Sequence, residues 1–368
     1  MLNKIKENLL ISGLVLGATV GAGLFVLPGV FAAAGWAIGL ISMFVVVLSI
    51  SFAHSLFWRA LAKSGGGNGL LALIKEKLGK WAGGVAFWTL VGGLTLTLAA
   101  YLNLGTGFLT IIFPSLGTPL LVFWMAASLP ALFGLKKLVR LDIGVVSAMV
   151  VLILFIFFSA PNKSAVFLYP AVLGGGVIAS FGALLFSLAG WTAVEPALKL
   201  SRGKNGNNKA MFLGLGTVFS AVLFLLFITG IFGSSPTISG DTISGLVSWP
   251  GWKLGTLALL GTFTILSVHM MISAEIKRSL ASNYGHEEIP GILYVIFIPL
   301  LLVLAGLNEF QETVSLAGGV FLAGQYIFIL LVSKKILGSS GAEKFFANFL
   351  ILIFSLSALY QAYVFIVK

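Results

Sequence analysis

The chain has 368 residues, 59% of them hydrophobic and 9% charged, with a mean hydropathy of +1.10. Soluble domains carry about 25% charged residues, so this composition is that of an integral membrane protein, with the lipid bilayer as its surroundings. The net charge of +11 is accounted for by basic cytoplasmic loops, so no nucleic-acid partner is implied. No cysteine is present, and His54, His269 and His286 lie far apart, which excludes disulfides, thiol chemistry and a histidine metal site.

A spanning helix needs about 20 mostly apolar residues. By that measure eleven spans are expected, near 9–33, 35–58, 81–113, 118–135, 141–160, 175–198, 210–233, 253–276, 289–307, 313–333 and 345–367. The apolar run after Lys4 and Lys6 is far longer than the roughly 7–15 residues of a signal-peptide core, so it is read as a retained span. Between the second and third spans, "SGGGNG" is a flexible connector, and "LLALIKEKL" reads as a short amphipathic helix on the cytoplasmic surface. The remaining loops are too short for a further domain, so residues 1–368 form one transmembrane domain.

The charges test this count. With the N-terminus inside, nineteen Lys and Arg residues fall in cytoplasmic segments: Lys4, Lys6, Arg59, Lys63, Lys75, Lys77, Lys80, Lys136, Lys137, Arg140, Lys199, Arg202, Lys204, Lys209, Lys277, Arg278, Lys334, Lys335 and Lys344. Only Lys163, Lys253 and Lys368 fall outside. A missed or invented span would move every later loop to the other side and destroy this bias. The expected topology is a multi-pass cell (inner) membrane protein, N-terminus cytoplasmic and C-terminus outside.

The first span contains "GATVGAGLFVLPG", residues 17–29, with four glycines and a proline. Relative to Ala, Gly costs about 1 kcal/mol and Pro about 3 inside a helix. An interruption in lipid is tolerable only where the freed backbone lines a cavity or binds something. At Ala18 to Gly23 it would leave one half-helix with free N–H groups, suited to a carboxylate, and another with free carbonyls, suited to an ammonium or a sodium ion. Gly13, Gly17 and Gly21 also fit ordinary small-xxx-small helix packing. The sixth span, "GVIASFGALLFSLAGWTAVEPALKL", has a similar interruption at Ser187, Ala189 and Gly190, with Pro196 beyond. Interrupted helices at corresponding places suggest an inverted repeat of 9–160 and 175–333, with an extra helix at 345–367. They are also the best sequence pointer to a transporter's central site.

"GATVGAGLFVLPGVFAAAGW", "LTLTLAAYLNLGTG" and "GALLFSLAGWTAVEPAL" resemble segments of the amino acid–polyamine–organocation superfamily of transporters, and within it the bacterial aromatic amino acid (tyrosine and tryptophan) permeases. The resemblance is strong in the first span, moderate in the third and sixth, and vague beyond about residue 280. It implies a LeuT-type fold, with five-plus-five inverted repeats and discontinuous first and sixth helices. It also implies an ion-coupled symporter working by alternating access. Carried over by position, Thr19, Gly21, Ala22 and Gly23 would hold a substrate carboxylate. The carbonyls of Phe186, Ser187 and Ala189 would face its amine, and Tyr101 would either sit over the site or simply hydrogen-bond a neighbour within the bundle. Trp191 would either wall the side-chain pocket or simply pack.

No buried charge lies near either interruption, so the expected substrate is a neutral amino acid, aromatic or large aliphatic. Another small zwitterion or amine is the alternative. No cofactor is expected, and no obligate protein partner is evident. Some superfamily members carry a fifth-span lysine in the place of a sodium ion, but here Ser147, Ala148 and Met149 occupy that region. The coupling ion is therefore either sodium or a proton. Sodium would be held by carbonyls near Gly17 and Val20 and hydroxyls of Thr262, Thr264 or Ser267. A proton would be carried by His269 or Glu195, though His269 also fits a neutral, hydrogen-bonded core histidine. Glu195 also stands four residues before Lys199, the spacing of a simple ion pair. Glu275 and Asp142 neighbour basic residues and read as interfacial. No filter segment or ring of charges supports a channel, and no catalytic motif supports an enzyme. A non-transporting subunit would need neither interruption.

Overall fold

A computed structural model describes residues 2–65, 69–132, 139–172, 175–201, 207–246, 248–284, 288–338 and 341–367. Lys136, Lys137, Arg202, Lys204, His286 and Lys368 lie outside these residues, and the side chains of Lys4, Lys6, Arg140 and Asp142 are not described either. Every regular element among the described residues is helical.

The helices are α1 (Leu2–Thr19), α2 (Gly23–Ala34), α3 (Trp36–Lys63), α4 (Gly69–Leu78), α5 (Lys80–Ile112), α6 (Pro119–Leu132), α7 (Val139–Ser159), α8 (Gly175–Leu188), α9 (Val194–Leu200), α10 (Asn207–Phe232), α11 (Gly251–Tyr284), α12 (Glu288–Leu304), α13 (Phe310–Leu316), α14 (Ala323–Leu337) and α15 (Gly341–Val367). A 3₁₀ turn, Trp191–Ala193, leads into α9, and a π-helical turn, Ala317–Leu322, joins α13 to α14. Seven spans are long and apolar enough to cross a membrane, and the bent pair α1–α2 makes an eighth. Three apolar helices are shorter, at 119–129, 147–159 and 289–304.

The first span breaks where its glycines predict, and α1 meets α2 at 69°. The sixth departs from expectation in degree. Only Ala189, Gly190 and the 3₁₀ turn separate α8 from α9, and the bend is not sharp enough to count as a second bent pair. The π turn in the tenth span has no counterpart in the sequence reading. Such turns mark functional sites often enough to draw attention to their neighbours.

Glycines bring the elements of the central bundle together. A Cβ on Gly216 of α10 would lie 2.7 Å from the Ser12 carbonyl oxygen of α1, and one on Gly182 of α8 would lie 2.7 Å from the Ser315 carbonyl oxygen of α13. Around the break, Phe25 of α2 is fully buried and packs edge-on against Phe108 of α5 and Phe227 of α10, at centroid distances of 5.0 and 5.9 Å. The first span's interruption therefore sits in the middle of the molecule. Leu9, Ile41, Phe44, Leu48 and much of α15 point outward, where lipid replaces a protein partner.

On the side of the 234–250 loop, the end of α2 is covered. Gly35 (φ +83°) turns the chain where a Cβ would overlap the Pro170 carbonyl oxygen at 2.0 Å, so only glycine fits. Trp36 N–H donates to the Tyr169 carbonyl at 3.2 Å, and Val172 N–H to the Ala34 carbonyl at 3.0 Å. The 234–250 loop sits against Gly29 and reaches Phe25, whose carbonyl accepts the Thr242 hydroxyl at 2.6 Å.

Candidate functional site

The break in the first span leaves polar backbone at the centre of the bundle. Around it the backbone bonds run from Val20 N–H to Leu16 (2.8 Å), Leu24 N–H to Gly21 (3.1 Å) and Phe25 N–H to Ala22 (3.0 Å). Among the described residues these bonds leave out the N–H groups of Gly21, Ala22 and Gly23 and the carbonyls of Gly17 to Val20. A donor set at the start of α2 and an acceptor set at the end of α1 therefore lie side by side, as the free ends of two half-helices require.

Thr19 is buried, and its hydroxyl is engaged. It lies 3.0 Å from the Val15 carbonyl, 3.1 Å from the Leu16 carbonyl and 2.6 Å from the Ser220 hydroxyl of α10. It fastens the end of α1 to α10. The Tyr101 hydroxyl faces Gly21, 3.5 Å from where a Cβ would stand, and Val268 of α11 lies at 3.6 Å. Tyr101 also meets Phe186 edge-on with centroids 6.5 Å apart. The fold thus brings Gly21, Tyr101 and Phe186 to one place.

Gly23 has a second reason to be glycine. A Cβ there would stand 2.5 Å from Ser187 Cα, which is backbone and cannot yield cheaply. The Ser187 hydroxyl is within hydrogen-bonding distance of the Gly23 carbonyl (2.9 Å) and the Ala183 carbonyl (2.8 Å). The two interrupted helices touch here. Gly190 is pressed against Thr19 and Val15, with a Cβ 3.2 Å from each side chain. Ala189, beside it, is half-buried at the end of α8.

Trp191 is buried, and its indole N–H donates to Gln325 Oε1 at 2.8 Å, while Gln325 Nε2 donates to the Thr89 carbonyl at 3.2 Å. The next residue, Tyr326, is fully buried with its hydroxyl 3.0 Å from His54 Nε2. Sequence reasoning missed Gln325, Tyr326 and His54. The signals available were a polar pair in an apolar span just after "FLAG", residues 321–324, and a histidine inside another.

On α11 the residue that meets the break is Val268, which is not an ion-coupling candidate; of the candidates, Thr264 lies one turn from it on the same face. Thr262 and Ser267 point elsewhere around the helix. The hydroxyls of Thr262 and Thr264 donate to the carbonyls four residues back, each at 2.8 Å. His269 is buried, with Nδ1 3.4 Å from the Ser273 hydroxyl. Glu195 pairs with Lys199 at 2.7 Å and Glu275 with Arg278 at 2.8 Å. All four charges line one cavity of about 140 Å³ together with Phe57, Leu70, Trp191, Thr192 and Pro196. This cavity lies beside Trp191 at the break in the sixth span and is bordered by the Glu195–Lys199 and Glu275–Arg278 pairs.

No protein-family model matches the sequence, and no curated protein matches it. Solved structures do. The crystal structure of MhsT in complex with L-phenylalanine is similar to this chain with a TM-score of 0.68 at 14% identity, covering 95% of this chain and 98% of that one. At this identity the likeness is one of fold, and the chain shares the LeuT-type fold of that protein.

Proposed function

We propose that the chain is a secondary active transporter, not an enzyme, that carries a neutral amino acid, aromatic or large aliphatic, into the cell by alternating access. The observation that carries this reading is the pair of opposed free backbone ends between Gly17 and Gly23, buried beneath Tyr101. Its N–H groups suit the carboxylate of a zwitterion, and its carbonyls suit the ammonium group or a co-transported cation. The structurally similar MhsT was crystallised with L-phenylalanine, which agrees with an aromatic amino acid as substrate. On this reading the three shorter apolar helices also cross the bilayer, giving eleven spans arranged as two inverted five-helix repeats and an extra helix. The loops packed on α2 close the outer side, and the charged cavity below Trp191 is the cytoplasmic exit.

Transport is coupled to a proton or a sodium ion. A sodium ion would be held by the carbonyls of Gly17 and Val20 with Thr264, the hydroxyl one turn from the break. The test is uptake into proteoliposomes of a radiolabelled panel: phenylalanine, tyrosine, tryptophan, leucine, lysine, arginine and glutamate. Accumulation of an intact aromatic or large aliphatic amino acid above equilibrium supports the reading. Best transport of arginine, lysine or glutamate refutes the substrate class, and the absence of concentrative uptake refutes the transporter. Uptake under a pH gradient without sodium assigns the proton, and uptake only after sodium is added assigns sodium.

A further inference from the structure

The cavity beside Trp191 is lined by two ion pairs that the central site does not use. Its volume is about 140 Å³, and a cavity of about 150 Å³ accepts a molecule as large as benzene. Its apolar lining is Leu70 of α4, Phe57 of α3 and Trp191, the last two packed edge-on with centroids 6.5 Å apart. Most of the remaining lining is charged: Glu195 and Lys199 of α9, and Glu275 and Arg278 of α11. Two carboxylates and two cations leave no net charge, so neither a lone anion nor a lone cation is complementary to the whole cavity. The Glu195 and Glu275 side chains are 10% and 24% exposed, those of Lys199 and Arg278 57% and 59%. The carboxylates therefore lie deeper, and the cations nearer to water.

The pairs leave polar atoms over. Among the described residues, Lys199 engages Glu195 Oε1 at 2.7 Å and nothing engages Oε2. Arg278 meets Glu275 through Nη2, 3.0 Å from Oε1 and 2.8 Å from Oε2, and its Nε and Nη1 have no partner among these residues. Both leftover groups approach the start of α4. A Cβ on Gly69 would stand 3.7 Å from Glu195 Oε2 and 3.9 Å from Arg278 Nη2. Gly69 has φ +67°, a conformation that disfavours a side chain, so this point stays open. The next residue, Leu70, lines the cavity. An α-amino acid carries its ammonium and carboxylate on one carbon. Charge-assisted bonds of about 2.8 Å let it reach both groups from that point.

We propose that this cavity is a second amino acid site, a station between the central site and the cytoplasm. The ammonium donates to Glu195 Oε2. The carboxylate accepts from the unused N–H groups of Arg278, with Lys199 beside it. The side chain lies on Phe57, Leu70 and Trp191, and the volume suits an aliphatic chain up to the size of leucine. The proposal rests on the transporter reading and extends it to the path out of the central site.

Thr192 lines the cavity and is exposed, and the chain has no cysteine, so Thr192→Cys provides a single reporter. The full chain in detergent is labelled with a maleimide in the presence of L-leucine up to about 10 mM, above the roughly 1 mM Kd of a weak site. Leucine should slow labelling. Isopentylamine and isocaproate, which keep the side chain and one charge each, should need about tenfold higher concentration, the effect of one lost charged contact. Arg278→Gln and, separately, Glu195→Gln should each raise the leucine requirement by about tenfold, and the second keeps the test decisive if the first does not fold. Gly21→Ala, which obstructs the central site, should leave the protection where it was. Absence of protection by leucine, or equal protection by either single-charge analogue, overturns the site. Protection that Gly21→Ala weakens and neither charge variant changes belongs to the central site and also overturns it. Stronger protection by glycerophosphoethanolamine than by leucine would assign the cavity to a lipid headgroup instead. Protection that persists where the uptake panel shows no concentrative transport supports the site and refutes the transporter, so the two failures are told apart.

Discussion

Two neighbouring glycines separate the binding site from the packing around it. At Gly21 an added methyl would meet the Tyr101 hydroxyl at 3.5 Å and Val268 at 3.6 Å, ordinary van der Waals contacts. Its φ is not in the left-handed region, so Ala is tolerated by the backbone. Gly21→Ala should therefore change stability by no more than about 0.5 kcal/mol, yet the methyl fills the space between Tyr101 and the free N–H groups where a carboxylate must come. Loss of one such contact should weaken substrate binding by about tenfold or more, or roughly 1.4 kcal/mol. At Gly23 the methyl would overlap Ser187 Cα at 2.5 Å and its Cβ and Oγ at 2.8 Å. That clash is with backbone, so α2 and α8 must separate, at an overpacking cost of about 1–3 kcal/mol. The structure thus changes what a bulky residue at Gly23 tests. Gly23→Leu should destabilise the protein as well as abolish transport, which the sequence reading, seeing only a ligand site, did not anticipate. Thermal unfolding in detergent and uptake by proteoliposomes, measured on the same preparations, distinguish the two effects. Normal uptake by Gly21→Ala would refute the placement of the carboxylate, and wild-type stability of Gly23→Ala would refute the contact between the broken helices.

Gln325→Leu should lower stability by about 1–3 kcal/mol, the cost of leaving the buried Trp191 indole N–H without its acceptor, as read by thermal unfolding. An unchanged unfolding temperature would mean that the 2.8 Å bond contributes nothing. Among the described residues Thr242 is the non-glycine residue at positive φ, 64°, held there while its hydroxyl reaches the Phe25 carbonyl. Thr242→Ala should speed modification of a single cysteine at Ser244 on the same loop by a membrane-impermeant maleimide, whereas equal rates would show that the hydroxyl does not hold the loop down. Because the chain has no cysteine, single cysteines at Ser164 and Lys63, both exposed, also test topology. The first should react from outside and the second only after the membrane is opened, and the reverse pattern would overturn the N-in orientation.

The sequence by itself determined the apolar spans and the place where the first one breaks. Helix-scale hydrophobicity and the cost of glycine and proline are local properties, and "GATVGAGLFVLPG" carries them within thirteen residues. The amphipathic α4 was legible for the same reason. What lay opposite each polar group was decided by tertiary structure alone. Trp191 finds Gln325 at a separation of 134 residues, Ser187 finds Gly23 at 164, and His54 finds Tyr326 at 272. The residues between them give no local sign of these meetings, which depend on how glycine-lined helices settle against one another. In the sequence His54 is only one of three scattered histidines, and Tyr326 carries no local signal. Only the packing of α3 against α14 brings the two together, because buried polar groups in a bilayer must find their partners within the protein.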